Sequence, residues 1–329
     1  MKRILYLYRD SPFARFIQDD RAILSTRYQV DDVHMQGDLQ TFRRLLVAAA
    51  RADLVYFWWG DLTGTAGLAL AQLFRKPSVM ITGGYDVADV PSIRYGLRYH
   101  PWRKYLPQLN LHFATEIIAN AEFSRAQVLR DFGVPPEKVH FIPHGLDPNA
   151  ITPGDTPKER RVLTCSLVTE EYIPYKGLDT FVRAAALLPD VPFIHTGPHK
   201  EAKAIARLKA MAPPNVEFRG FLSEAELIEE MRRATVYCQL SAHEGFGLAL
   251  AEAMLAGATP VVTKEAAIPE VAGPVAEYVR YGDAEGTAQA LRRALDAPRG
   301  EAARARIVNE FPLTRRAQGV LQVVERCLA

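Results

Sequence analysis

Short apolar runs alternate with stretches of helical periodicity along almost the whole chain, and this alternation restricts the fold more than any other feature. Arg3–Tyr8, Tyr28–His34, Asp53–Trp59, Ser78–Thr82, Glu116–Asn120 and His140–Pro143 read as strands. Phe13–Thr26, Leu39–Ala52, Thr65–Phe74 and Ser124–Phe132 read as the helices between them. Strands separated by helices pair in parallel and collect ligands at their carboxyl ends. Thr152–Arg160 is proline-rich and polar, and reads as a linker. A second series follows, with strands at Val162–Val168, Phe193–Thr196, Val216–Arg219, Thr235–Leu240 and Thr259–Thr263. Its helices are expected at Leu178–Leu188, Lys200–Met211, Glu224–Arg233, Glu285–Asp296 and Glu301–Glu310. Ser223 and Glu226 predict a capping box on the third of these. Leu313–Leu328 closes the chain as one more helix. The fold class is α/β, and 329 residues suit two domains of about 150.

Several function classes are excluded by what is missing. The turn after the first strand is Arg9-Asp10-Ser11-Pro12, without G-x-G-x-x-G, so a dinucleotide is not expected there. No G-x-x-x-x-G-K-[ST] loop occurs, and His243-Glu244 does not begin a zinc H-E-x-x-H because position 247 is glycine. No D-x-D is present to hold a divalent ion on a diphosphate, so neither a metal nor a cofactor is expected. A net charge of +2 does not announce nucleic acid. Cys165, Cys238 and Cys327 are too far apart for a metal or disulfide pattern, which suggests a reducing cytoplasm. Charges follow the first strand at once and no apolar run approaches roughly 20 residues, so no signal peptide or membrane span is expected.

The densest stretch is Ser241–Val262, a glycine-rich loop, a short apolar helix, a stop at Gly257 and a new strand. Glu252 is its only charge between Gly245 and Val262, and a buried carboxylate needs a cation, backbone donors or ligand hydroxyls. Glu244 precedes the same helix, whose free N–H groups favour negative charge. Gly245 and Gly247 leave the backbone bare for an anion or sugar to approach. Taken without context, the stretch also fits a capped core helix with one paired Glu.

Glu244 and Glu252 stand in the setting E-G-F-G-L-x-L-x-E-A-M-x-x-G, followed by P-V-V. This resembles the E-x7-E signature of retaining nucleotide-sugar glycosyltransferases, above all family 4. Phe132-Gly-Val-Pro135 and Ile142-Pro-His-Gly-Leu-Asp147 resemble the same family, as do Lys176-Gly177 and Thr196-Gly-Pro198. The resemblance is strongest over 112–148 and 162–275. It implies the GT-B fold, two Rossmann-like βαβ domains facing each other across a cleft. Residues 1–152 would bind the acceptor and 153–310 the donor, with 311–329 packing back on the first domain. It also implies transfer of a hexose from a UDP-, GDP- or ADP-sugar to a hydroxyl acceptor, with retention and without metal.

In that scheme Glu252 takes the ribose and Glu244 the sugar hydroxyls. Lys176 and the amides of Gly245, Phe246, Gly247 and Leu248 take the sugar and phosphates, and Gly197 lies in the same site. The family usually adds an Arg upstream of the lysine, but Cys165–Tyr175 contains none. Ser166 or Thr169 offers a hydrogen bond instead, without charge. A second departure is Ala121, where the family often has Ser. Two other readings stay open: a GT-B nucleotide-sugar epimerase or hydrolase, and a non-catalytic nucleotide-sugar binder.

Trp58–Asp61 and Gly83–Asp86 end two strands of the first series, so Asp61, Tyr85 and Asp86 are acceptor-side candidates, Asp86 foremost. Ordinary βα turns would look the same. Val90–Thr115 has no acid, and Arg94, Arg98, Arg103 and Lys104 interleave with aromatics. This reads as a solvated helix face over packed aromatics, with a phosphate-bearing acceptor or a peripheral membrane contact through 94–105 as alternatives. His195, at the end of a strand, reads as a core or supporting histidine.

Overall fold

The computed structural model describes residues 1–9, 14–35, 38–155 and 157–329. The Asp10–Pro12 corner, the helix start expected at Phe13 and Thr156 of the linker lie outside the described residues. Two compact units are present: Met1–Gly145 with Leu313–Ala329, and Leu146–Pro312.

The first unit contains β1 (Arg3–Tyr8), α1 (Arg15–Ser25), β2 (Gln29–His34), α2 (Leu39–Arg51), β3 (Leu54–Trp58), α3 (Leu62–Leu73), β4 (Ser78–Thr82), α4 (Tyr105–Phe113), β5 (Glu116–Ala119), α5 (Glu122–Phe132) and β6 (Val139–Phe141). Its strands form one parallel sheet in the order β2-β1-β3-β4-β5-β6. Alternation along β1 and β3 serves two buried faces. Leu5, Leu7, Val55 and Phe57 pack with residues of α2, α3 and α4, whereas Ile4, Tyr6, Tyr56 and Trp58 pack with α1 and the last helix.

The second unit contains β7 (Glu159–Cys165), α6 (Tyr172–Lys176), α7 (Leu178–Ala186), β8 (Phe193–Thr196), α8 (Ala202–Met211), β9 (Val216–Gly220), α9 (Glu224–Arg233), β10 (Ala234–Gln239), α10 (Leu248–Leu255), β11 (Thr259–Thr263), α11 (Ile268–Ala272), β12 (Glu277–Val279), α12 (Ala284–Asp296) and α13 (Gly300–Glu310). Its parallel sheet runs β12-β11-β10-β7-β8-β9. The chain steps outward from β7 to β9, then returns to the other side of β7 at β10. Strand order therefore reverses between β7 and β10, and a crevice for ligands opens outside the carboxyl ends of such a pair. The expected capping box of α9 is present.

Several expectations need correction. The units divide at Gly145, a few residues before Thr152. Leu146 N–H donates to Phe311 O at 2.9 Å, and Arg304 donates to Pro148 O and Ile151 O, so this segment is held by the second unit. Helix α3 starts at Leu62 rather than Thr65, because the Asp61 carboxylate accepts from Thr63 and Gly64 N–H and nucleates its first turn. Residues 94–104 form turns and a short 3-10 helix, Leu97–Tyr99, rather than an α-helical face. Pro91, Gly96 at φ 124 and Pro101 break the periodicity there.

The last helix, α14 (Leu313–Leu328), belongs to the first unit and packs on α1. Arg316 on α14 is buried and grips buried Asp20 of α1 with both arms, at 2.6 and 2.8 Å. Its third nitrogen donates to Asn120 Oδ1, Ile142 O and Pro143 O, each at 3.2 Å. Tyr56 donates to the same Asp20 at 2.7 Å, and Asn120 donates to Thr82 O at 2.7 Å. Burial alone would lower the guanidinium's pKa, but Asp20 reverses this and raises it. Removing one partner of such a pair strands a buried charge. Arg316→Met should cost about 3–5 kcal/mol, whereas Asp20→Leu/Arg316→Met together should cost less than the sum of the single changes. Urea unfolding checks this, and a wild-type midpoint for Arg316→Met would refute it.

Candidate active site

At the reversal point of the second sheet, the chain leaves β10 as Leu240-Ser-Ala-His-Glu-Gly-Phe-Gly247 and enters α10. Glu244 is nearly buried, and its Oε1 accepts from Lys176 Nζ at 2.6 Å and from Ser241 Oγ at 2.7 Å. Two residues singled out separately in the sequence thus form one ion pair. Its local cause is the short helix α6, which ends at Lys176. Tyr175 O accepts from Ala242 N–H at 2.8 Å, and Tyr281 braces the same turn by donating to Pro174 O at 2.5 Å. Gly177 follows at φ 64, pressed so closely on the chain leaving β10 that a Cβ there would lie 2.3 Å from Leu240 O. Lys176, held between these contacts, lies over the Tyr175 ring with its ammonium 4.5 Å from the centroid.

Gly247, at φ 98, precedes α10, whose first turn has no side-chain cap. The helix thus presents unfilled N–H groups beginning at Leu248. Phe246 turns its ring inward against Phe311, 5.3 Å away and edge-on, so only its backbone is placed for a ligand. Gly245 and Leu248 are half-buried. Glu252 is also half-buried, on α10. Buried Tyr237 on β10 has its pKa raised first by burial, then by Cys165, Glu244 and Glu252. Both carboxylates therefore act on one phenol, and Glu252 and Lys176 also act in opposite directions on the Cys165 thiol at the end of β7. Glu244, Glu252 and Lys176 share one neighbourhood. Ser241, Tyr175 and Tyr237 were not foreseen, because each is a common residue in an apolar run.

Ser166 is nearly buried beyond β7, with Oγ 3.4 Å from His195 Nε2. Burial pushes His195 down to about 4, so it stays neutral, as expected of a supporting histidine. His243 is likewise pushed down to about 4 by burial, with Lys176 adding to the effect and Glu244 opposing it. Gly197 is required by packing: at φ 127, its missing Cβ would sit 2.0 Å from Ser166 O.

Candidates of the first unit have other employment. Asp86 is buried and accepts from Gly60, Gly83 and Gly84 N–H at 3.0–3.1 Å, which ties the turns after β3 and β4 together. Burial pushes its pKa up to about 6 against these hydrogen bonds. Both oxygens are engaged by backbone, so Asp86 serves as a bracket between the two loops. Asp61 caps α3 and meets Arg9 at 3.3 Å. Tyr85 is half-buried, with its hydroxyl 3.1 Å from His100 Nε2 and its ring edge-on to Tyr95. Within 94–105, Arg98 and Tyr99 both engage Asp89 and Tyr95 is buried. Ala121 begins α5 without a side-chain cap, which is the local effect of its departure from Ser.

Comparison with known proteins agrees with this geometry. Residues 19–150 match the family described as Glycosyltransferase Family 4, and residues 159–297 match that described as Glycosyl transferases group 1. An MMP alpha-(1->4)-mannosyltransferase of Mycolicibacterium hassiacum is 28% identical over 233 residues, covering 65% of this chain and 54% of the relative. A D-inositol 3-phosphate glycosyltransferase of Mycolicibacterium vanbaalenii is 28% identical over 234 residues, covering 64% and 51%. The chain spans about half the length of the curated relatives it matches. Among solved structures, Anabaena HepE in complex with UDP and glucose superposes with TM-score 0.80 at 19% identity, covering 99% of this chain and 100% of that one. Sucrose-phosphate synthase of Thermosynechococcus elongatus gives 0.82 at 17% identity, covering 99% of each. The chain belongs to the family 4, group 1 glycosyltransferases and has their GT-B architecture.

Proposed function

We propose that this protein transfers a hexose from a nucleotide-diphosphate sugar to a hydroxyl acceptor, with retention of configuration and without a metal ion. The observation that carries this reading is the Lys176–Glu244 pair beside the uncapped start of α10 and Glu252. Departure of a nucleoside diphosphate places negative charge on its phosphates, and aligned N–H groups with one ammonium stabilise such charge. Lys176 and the amides of Gly245–Leu248 fill that role. Glu252 accepts the ribose hydroxyls, and Glu244 orients the ammonium and receives sugar hydroxyls. Support for a UDP-sugar comes from the structural neighbour that holds UDP and glucose. In the first unit, Tyr85 with His100 is the acceptor-side candidate, and Asp86 holds their loop from beneath. The departing phosphate helps deprotonate the acceptor on the face it leaves.

Hydrogen bonds to a charged group contribute about 1.5–3 kcal/mol, so Glu252→Gln should weaken UDP binding by roughly ten- to hundredfold in calorimetry. Unchanged affinity would remove Glu252 from the ribose. Lys176→Ala should lower turnover of the best donor in a UDP-, GDP- and ADP-sugar panel at least tenfold, since ~1.4 kcal/mol at the transition state suffices. Lys176→Arg should retain more of it, and near-normal rates for Lys176→Ala would sink the clamp. Running the panel with and without acceptor sugars, and with a chelator, separates transfer from epimerisation or hydrolysis and tests metal independence. Nucleotide binding with no turnover of any donor would instead identify a binder.

A further inference from the structure

The first unit carries an apolar face that the transferase reading does not use. Of the fourteen large apolar side chains exposed among the described residues, nine lie on α2, α3 and α4 or the turn before α4. On α4, Tyr105, Leu109 and Phe113 recur every four residues along one stripe, at 65%, 43% and 59% exposure, and Trp102 extends it. On α2, Leu45 and Ala49 face the core, while Phe42, Leu46 and Val47 face outward. Helix α3 packs between these two, contains no charged residue and exposes Leu62 and Leu73. The side chain of Gln72 donates to Phe113 O at 3.3 Å, which brings the ends of α3 and α4 together. A monomeric soluble protein rarely leaves so much contiguous apolar surface bare.

Past the capping carboxylates Asp38 and Asp61, and Asp89 beside Arg98, the charge along these segments has one sign. No Asp or Glu occurs in 39–51, 62–76 or 90–115, whereas these segments hold nine Arg and Lys. Among the described residues, Arg43 and Arg44 of α2 have no carboxylate partner. Arg103 and Lys104 likewise have none, and they lie instead over the rings of Trp102 and Tyr105, at 5.1 and 5.0 Å. Pairing of this face with a second copy would set cations against cations. Apolar and aromatic side chains ringed by arginine and lysine match the boundary between the headgroups and acyl chains of an anionic membrane. No helix among the described residues is long and apolar enough to cross a membrane.

We propose that the α2–α3–α4 face docks on the surface of a bilayer containing anionic phospholipid. The contact keeps 102–105 and extends over α2 and α3, whereas Arg98, Tyr99 and Tyr95 are engaged within the fold. It does not depend on the donor chemistry. Flotation with phosphatidylcholine vesicles, with or without phosphatidylglycerol, tests it on the full chain. Wild type should float with the anionic vesicles, less at high salt, and not with phosphatidylcholine alone. Leu109→Glu/Phe113→Glu and Arg43→Gln/Arg44→Gln should each reduce the bound fraction about tenfold or more, at unchanged melting temperature and unchanged UDP affinity. Absence of wild-type flotation, or flotation of both variants like wild type, would overturn the proposal. So would self-association abolished by Leu109→Glu/Phe113→Glu without vesicle binding, which would assign the face to a second copy. Loss of UDP binding in wild type would count against the transferase reading and leave this one standing.

Discussion

The two-armed grip of Arg316 on Asp20 joins residues 296 positions apart and makes the first unit out of both ends of the chain. Groups from β3 and from the segments just after β5 and β6 complete it. Tyr56 and Asn120 fill the remaining polar valences, and Trp58, stacked on buried His144, lies beneath the guanidinium. Burial depresses the basicity of His144, and the neighbouring Arg316 charge adds to that, so the imidazole serves as a neutral aromatic surface. A charge pair wholly removed from water is tolerable only with this degree of completion. It therefore fixes where α14 can sit on α1.

A second ion pair, Lys176–Glu244, has the opposite character. Its side chains retain 20% and 10% exposure, and the ammonium makes one charged contact instead of two. Arginine is suited to rigid bidentate closure, and lysine to a point charge whose remaining protons can turn to another acceptor. The sequence separation of 68 is bridged by backbone, through Ala242 N–H to Tyr175 O and the close seat of Gly177 on the chain leaving β10. One pair holds a fold, and the other holds a cation ready at the mouth of a helix.

This contrast explains what was legible beforehand. Runs such as Arg3–Tyr8 and Ser78–Thr82 declare themselves because a doubly covered parallel strand must be apolar throughout. Glu244, Glu252 and Lys176 were identifiable from their motifs, but the pairing of Lys176 with Glu244 was not, since it depends on α6, a five-residue turn containing Pro174. Strand β12 has three residues and α11 begins with a proline in its first turn, too short for periodicity to register. Asp61 and Asp86 were assigned outward roles because an acid in a polar turn after a strand looks alike whether it meets a ligand or the chain's own amides. Only the direction of the side chain separates the cases, and tertiary packing sets that direction.

The absence of an arginine upstream of Lys176 gains a physical meaning from the same geometry. Under the proposed reading, one ammonium must act where the resemblance implies two cations. A lone charge compensates for number by position, because donors already aligned need no reorganisation as charge develops. The Tyr175 ring beneath Lys176, Glu244 beside it and the fixed seat of Gly177 supply that alignment before any nucleotide arrives. Neutral Ser166 is close by but is turned toward His195, and Gly197 leaves no room for a side chain between the two turns. Under that reading, the contacts around Lys176 set how well its charge can act.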